Sequence, residues 1–193
     1  MENPYQLIPV EVEKIDVETP TIKTLFLRPA QPVPFQTGQF VELAIPGLGE
    51  GPFTPSSDPY DEEKMEITIM RAGRVTDQIH RLKAGDTVAV RGPYGLGYPL
   101  DKLKGREIVI IGGGVGLAPL RSLFYALLHT VKKYKKIIVL NGARTPDDLV
   151  YRGLYDKWSK LDNVDFRVSV DIGDDDWKGN VGVVTTLLDD IKV

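Results

Sequence analysis

The 193-residue chain has no cysteine and only two histidines, His80 and His129. Without thiolates it forms no disulfide, no thiolate-bound zinc site and no iron–sulfur cluster on its own side chains. The histidines lie far apart with no companion ligand pattern, so both are read as surface or packed side chains and no metal site is expected. Long apolar runs are missing too. None approaches the roughly 18 residues of a membrane span. Met1–Tyr5 hold neither a basic stretch nor an apolar one, so no export signal is read there and a cytoplasmic protein is expected. Neither sign of charge is in large excess. With 24 Lys and Arg against 27 Asp and Glu, a net charge of −3, the chain offers no basic surface for nucleic acid. There is no internal repeat, no low-complexity segment, no Ser-His-Asp set and no evident pair of catalytic carboxylates.

What is present is a soluble globular composition, 42% hydrophobic and 26% charged, in a chain long enough for two small cores. From Leu7 to Gly92 the apolar residues recur with period two. Ile8, Val10 and Val12 alternate with polar neighbours, as do Met65, Ile67 and Ile69, and Val88 and Val90. Further β-rich stretches run from Thr21 to Leu27 and from Gln39 to Ala44, separated by proline and glycine. Five or six such strands predict a small antiparallel barrel, interrupted by one helix at Val75–Leu82. After Pro99 the pattern becomes strand, helix, strand, helix. Strands are expected at Ile108–Ile111, Ile137–Leu140 and Val164–Val170, with helices from Leu117 to about Thr130 and from Pro146 to about Leu161, and a short one from near Thr185. Thr145, Pro146, Asp147 and Asp148 form a helix-start signal for the second of these. The fold class is therefore an antiparallel β-barrel, residues 1–99, followed by an α/β doubly wound, Rossmann-like parallel-sheet domain, residues 100–193.

Between the first of these later strands and its helix stands Gly112-Gly113-Gly114-Val115-Gly116-Leu117-Ala118-Pro119. Glycine here removes the Cβ that would hold a pyrophosphate or nicotinamide off the backbone, and the helix N-terminus offers unpaired N–H groups to an anion. Set beside G-x-G-x-x-G, Leu117 occupies the third glycine position, and Asn141 stands where an acidic residue would hold a ribose. The segment is either a dinucleotide-binding turn or a tight structural turn. Arg144, just beyond the second strand, either meets a ribose phosphate, which leans the reading toward NADP over NAD, or is a solvated turn arginine. Asp171–Asp176 and Lys132–Lys136 are read as a solvated loop and a helix end, and Trp177 as a packing residue.

Across essentially its whole length the chain resembles the ferredoxin-NADP reductase superfamily, and within it the gamma subunits of cytoplasmic sulfhydrogenases and the similar subunit of anaerobic sulfite reductase. The resemblance is carried by Phe35–Phe40, Gly51–Ser57, Gly73–Thr76, Arg91–Gly95, Gly112–Pro119, Gly142–Thr145 and Trp177–Gly182, in that order and spacing. It implies an FAD held by the barrel against Pro52, Phe53, Thr54 and Ser56. In the family's R-x-Y-S/T segment Phe53 takes the aromatic place beside the isoalloxazine and Thr54 the hydroxyl place near its N5. These two are the expected catalytic residues. Gly51 stands where the family has an arginine on the pyrophosphate. Gly73, Val75 and Thr76 match the second phosphate element, and Arg71 or Arg74 is expected to supply the missing charge. The resemblance further implies NAD(P)H at Gly112, Gly113, Gly114, Gly116, Leu117, Ala118, Pro119 and Arg144.

The function so implied is an electron-transfer subunit that passes electrons between NAD(P)H and a redox partner through FAD. The partners would be iron–sulfur or catalytic redox subunits of a hetero-oligomer, such as a hydrogenase or a sulfur or sulfite reductase. An electron-transfer subunit of another system, such as dihydroorotate dehydrogenase, and a redox-inactive scaffold are the alternatives, the second motivated by Gly51. Only three parallel strands are counted after residue 100, and the family's late Cys-Gly-Pro turn and cysteine cluster are not in the sequence. The chain is therefore expected to be a fragment of a longer polypeptide.

Overall fold

The fold is that of a computed structural model describing residues 3, 5–189 and 191. Met1, Glu2 and Pro4 of the start considered above, and Asp190, Lys192 and Val193 at the end, lie outside the described residues. Six strands form the first layer: β1 (Ile8–Thr19), β2 (Ile22–Pro29), β3 (Phe40–Ile45), β4 (Gly49–Phe53), β5 (Met65–Met70) and β6 (Thr87–Tyr94). All neighbours pair antiparallel, in the order β4-β3-β6-β1-β2-β5. Alternation does the sorting. Val10 and Val12, Leu25 and Leu27, Val41 and Leu43, Ile67 and Ile69, and Val88 and Val90 all turn into one core. Burying each stabilises the fold by about 1.5–3 kcal/mol before chain entropy is counted. The two end strands are drawn together beyond β4, where the Ser56 N–H donates to the Glu66 carbonyl at 2.7 Å. The helix between β5 and β6, α1 (Arg74–Ile79), drops Val75 and Ile79 into the same core.

After a short helix, α2 (Leu100–Leu103), come β7 (Glu107–Gly113), α3 (Leu117–Leu128), β8 (Lys136–Ala143), α4 (Tyr155–Trp158), β9 (Val164–Val170) and β10 (Asn180–Val181). The strands form a parallel sheet in the order β10-β9-β8-β7. β8 is central and buried on both faces, which is why Ile137–Leu140 is a continuous apolar run. On one face α3 packs Leu117, Phe124 and Leu127 against Ile108, Ile110 and Val139. On the other, Leu187 from a 3₁₀ turn, Val184–Leu188, covers Ile138 and Leu140.

Three expectations are corrected here. The sheet has a fourth strand, the two-residue β10, where three were counted. The helix expected near Thr185 is the 3₁₀ turn just named. Most informative, Pro146–Leu161 is not one helix: a 3₁₀ turn at Pro146–Asp148 gives way to an extended Leu149, a left-handed Tyr151 (φ 61°), a second 3₁₀ turn and only then α4. Thr145 does not cap it through its hydroxyl, which donates to the Asp148 carboxylate at 2.9 Å instead. Leu149, Val150 and Tyr151 are all buried, and tertiary docking of this stretch overrides its helix-start signal.

Candidate functional site

The parallel strands finish level with one another. Gly113 of β7 pairs with Gly142 of β8, and Ala143 with Val170 of β9. The carboxyl ends of parallel strands are where open α/β sheets leave a crevice. Here a cavity of about 620 Å³ opens at that position. Its α/β side is the glycine turn at Gly113, Gly114 and Val115 and the end of β8 at Gly142–Arg144, with Asp148 and Asp171 at the polar edge. Opposite, the antiparallel sheet contributes Thr21, Ile22 and Met70.

The glycines of the turn have different tasks. A Cβ at Gly112 would sit 2.9 Å from the Leu117 Cα, so this glycine lets α3 lie close on β7 and does not line the cavity. Gly113 is extended (φ −131°), and a Cβ there would meet only the Gly142 carbonyl at 3.8 Å. Gly114 adopts φ +52°, and a Cβ there or at Gly116 meets nothing within 4 Å. Leu117 and Ala118 are core residues, each 2% exposed, so their side chains face the sheet. A 3₁₀ turn, Gly114–Gly116, runs straight into α3, and the Leu117 N–H that opens the helix already donates to the Gly114 carbonyl. Pro119, in that first turn, has no N–H to offer.

Arg144 lines the cavity with its side chain 84% exposed, and its Nε lies 4.0 Å from Asp148. Asn141 does not face the cavity. It is buried and donates to the Tyr155 hydroxyl at 2.6 Å, which in turn donates to the Val150 carbonyl at 2.8 Å. Burial pushes the Tyr155 phenol up. The Asn141 Oδ1 has no partner among the described residues.

The remaining expected residues gather around β4 and α1. The Phe53 ring lies beside Gly51, where a Cβ would meet its Cε2 at 3.3 Å and the Val75 Cγ1 at 4.0 Å. Gly51, Phe53 and Val75 are thus brought together, and a side chain at Gly51 would press on the Phe53 ring, which would have to give by a few tenths of an ångström. Thr54 is half-buried and Pro52 exposed. Ser56 is wholly buried, its hydroxyl 3.2 Å from the Glu66 carbonyl and 3.1 Å from the Thr68 hydroxyl, turned away from any open face. The N–H groups of Ala72 and Gly73 already donate to the Thr76 hydroxyl, at 2.8 and 2.9 Å. The Arg71 guanidinium is 3.7 Å from Asp77. The Arg74 side chain, exposed at the start of α1, makes no hydrogen bond or ion pair among the described residues. Met70 links the two groups, ending β5 in the cavity three residues before Gly73.

Sequence reading missed the seam between the sheets. Arg121 of α3 is 6% exposed, donates to Glu66 at 2.6 Å and to the Tyr125 hydroxyl at 3.0 Å, and stacks 4.4 Å from the Tyr151 ring centre. Burial alone would lower the guanidinium's affinity for its proton; the facing Tyr151, Tyr125 and Glu66 oxygens outweigh it and hold the group above its ordinary range. The available signal was an arginine inside the buried stripe Leu117, Arg121, Phe124.

Family comparisons agree with this two-layer arrangement. Residues 9–98 match an oxidoreductase FAD-binding domain and residues 110–191 an oxidoreductase NAD-binding domain. The gamma subunit of sulfhydrogenase 1 from Pyrococcus furiosus is 44% identical over 155 residues, 78% of this chain and 53% of that one. A probable dihydroorotate dehydrogenase B (NAD(+)) electron transfer subunit from Methanocella arvoryzae is 35% identical over 190 residues, 96% of this chain and 64% of that one. Among solved structures, the Amycolatopsis cytochrome P450 reductase GcoB superposes with a TM-score of 0.83 at 25% identity, over 96% of this chain and 58% of that one. The chain spans about half the length of the first curated relatives it matches. With an FAD-binding and an NAD-binding oxidoreductase domain in succession, the chain belongs to the ferredoxin-NADP reductase family.

Proposed function

We propose that residues 1–99 hold FAD, residues 100–193 hold a pyridine nucleotide, and the chain is the electron-transfer part of a larger oxidoreductase. The observation that carries this reading is the cavity itself, walled by the glycine turn on one side and by Met70 and Ile22 on the other. The residues present fit FAD. Phe53 offers a partly open aromatic face, Thr54 a half-buried hydroxyl, and Gly73 a backbone where a Cβ would find open space. With Arg71 engaged by Asp77, Arg74 is the guanidinium free to meet a pyrophosphate. Bound FAD would take a hydride from the nicotinamide and release the electrons singly; orienting the two rings is the protein's contribution. The partners in this reading are iron–sulfur or catalytic redox subunits of a hetero-oligomer. A cytoplasmic location belongs to it, because pyridine nucleotides are a reductant pool of that compartment. Heat release and chromatography of the ligand test it: FAD is expected, and FMN or no flavin in folded protein refutes it and leaves the redox-inactive scaffold.

The charges lining the same cavity support NADH over NADPH, against the lean toward NADP that a phosphate-binding Arg144 would carry. Arg144 is its one guanidinium, and two carboxylates, Asp148 and Asp171, share the lining with it. That edge is net acidic and opposes the extra charge of a 2′-phosphate. Titrating the flavoprotein with both nucleotides checks this, and tighter NADPH binding overturns it. Two subunit types remain in view, since the relatives include both sulfhydrogenase gamma subunits and dihydroorotate dehydrogenase electron-transfer subunits. Identifying the proteins that co-purify with this one decides between them.

A further inference from the structure

A buried chain of hydroxyls crosses the seam between the two sheets, and its direction is fixed by its end. Thr24 donates to the Glu18 carboxylate at 2.7 Å, so its own oxygen must accept from Thr68, 2.8 Å away. Thr68, having given its proton to Thr24, must accept from the Tyr151 phenol at 2.6 Å. The second Glu18 oxygen accepts the Tyr151 backbone N–H at 2.8 Å, which closes the chain into a ring. Tyr151 is the sole member from the α/β side, and it makes both contacts from a left-handed backbone (φ 61°) that a tyrosine adopts only when its surroundings impose it.

The ring reaches both halves of the candidate site. Ser56, two residues beyond Thr54, ties the Phe53–Thr54 segment to β5 through its N–H, which donates to the Glu66 carbonyl at 2.7 Å. With the Thr68 proton given to Thr24, the Ser56 hydroxyl, 3.1 Å from Thr68 and 3.2 Å from that carbonyl, has one proton to give to one or the other. On the α/β side the Tyr151 ring lies under Arg121, one turn into the helix that begins at the glycine turn. Arg121 reaches Glu66, and Tyr151 reaches Thr68, two positions farther along β5. Residues two apart on a strand are separated by roughly 6.6 Å. One contact would leave a pivot, whereas two spaced contacts fix an angle. A third buried bond, between the hydroxyls of Thr37 and Ser122 at 3.0 Å, holds α3 against rotation about that line.

We propose that Tyr151 is a positioning residue: its phenol in the Thr68–Thr24–Glu18 ring sets the angle between the two sheets, and so the approach of nicotinamide to flavin. This rests on the reading that FAD and a pyridine nucleotide bind on either side of the cavity. The ring itself stands on geometry alone.

The test uses the FAD-loaded protein and the variants Tyr151→Phe and Thr68→Val, which cut the same bond from opposite sides. Three quantities are measured: residual dipolar couplings for the angle between the sheets, calorimetric affinity for NADH, and the rate of flavin bleaching at saturating NADH. Both variants should keep FAD and bind NADH within about twofold of the parent, while the couplings no longer fit the parent's single angle. Bleaching should slow roughly tenfold or more, since a misplacement of ~1 Å can cost ~100-fold. The double variant should be no slower than the worse single one. Parent-like couplings and bleaching in folded variants overturn the proposal. So does loss of flavin or of folding in both, which would make the ring a stability element only. Failure of the underlying reading looks different: the parent itself would carry no FAD or be bleached by neither nucleotide, and the couplings would still report on the seam.

Discussion

Gly112 and Gly113 are neighbours in sequence, yet substituting them should have opposite consequences. An alanine Cβ at Gly112 would lie 2.9 Å from the Leu117 Cα and 3.1 Å from its N. Carbon atoms settle at about 3.5–4.0 Å, so β7 and α3 would have to part by roughly half an ångström. Both are backbone-anchored core elements, and overpacking of this kind costs about 1–3 kcal/mol. For a chain of this size each kcal/mol moves Tm by about 2–4 °C, which places Gly112→Ala about 4–8 °C below the parent at ~2 kcal/mol. Gly113 is extended at φ −131° and ψ 132°, with no contact closer than 3.8 Å. Side chains accept that backbone freely, and the loss of glycine's freedom in the unfolded chain stabilises by about 0.4–1 kcal/mol. Gly113→Val should therefore melt at or slightly above the parent. Because Gly113 lines the cavity, the same variant should weaken NADH at least about tenfold, a loss of ~1.4 kcal/mol. Differential scanning calorimetry and isothermal titration of both variants suffice. An unchanged Tm for Gly112→Ala would refute the close-packing role, and unchanged NADH affinity in Gly113→Val would refute the cavity as the nucleotide site.

Other residues give further outcomes. Arg167 first, and then Lys136, hold the Asp165 carboxyl at about 2 against an ordinary 3.8. The folded value is the lower one, so the contribution, at most ~2.5 kcal/mol, is complete above about pH 4 and lost as pH falls toward 2; Asp165→Asn should flatten the acid limb of a stability–pH curve over that window, and an unaltered limb would contradict the pairing. Glu66→Gln strands the Arg121 guanidinium, 6% exposed, and should cost about 3 kcal/mol, while adding Arg121→Met to it should recover part of the loss in urea denaturation. Equal stability of the single and double variants would mean that the pair is not coupled. Gly114→Val needs the stability control that Gly113→Val does not, since at φ +52° a side chain costs ~1–2 kcal/mol whatever the ligand does. Phe53→Ala should loosen FAD in dialysis without disturbing NADH binding to the α/β layer; retention as tight as the parent's would remove Phe53 from the flavin site.

How far the sequence could be read depended on whether a signal was local. Strands with one buried face, such as Val10 and Val12 in β1, announce themselves by period two, and β8 by an apolar run bounded by Lys136 and Asn141. The glycine turn was legible for the same reason, since strand, turn and helix are contiguous. Its division of labour was not, because whether Gly112 or Gly113 faces a helix or a cavity depends on how α3 lies on β7, which composition does not specify. The arginine missing at Gly51 was visible, but the close approach of the Phe53 ring to that glycine was not.

The largest misreading, one helix over Pro146–Leu161, and the largest omission, the seam, have a common cause. Thr145, Pro146 and two aspartates favour a helix start by fractions of a kcal/mol each. Against them stand the burial of Leu149, Val150 and Tyr151 and the two bonds Tyr151 makes to Glu18 and Thr68, partners far earlier in the chain. A continuous helix would remove the left-handed turn at Tyr151 that delivers its N–H and phenol to those partners together. Propensity is read from neighbours and docking from distant residues, so where they conflict the sequence shows only the weaker side. A strong helix start that the fold overrides therefore marks a segment held by long-range contacts, and here that segment joins the two layers on either side of the cavity.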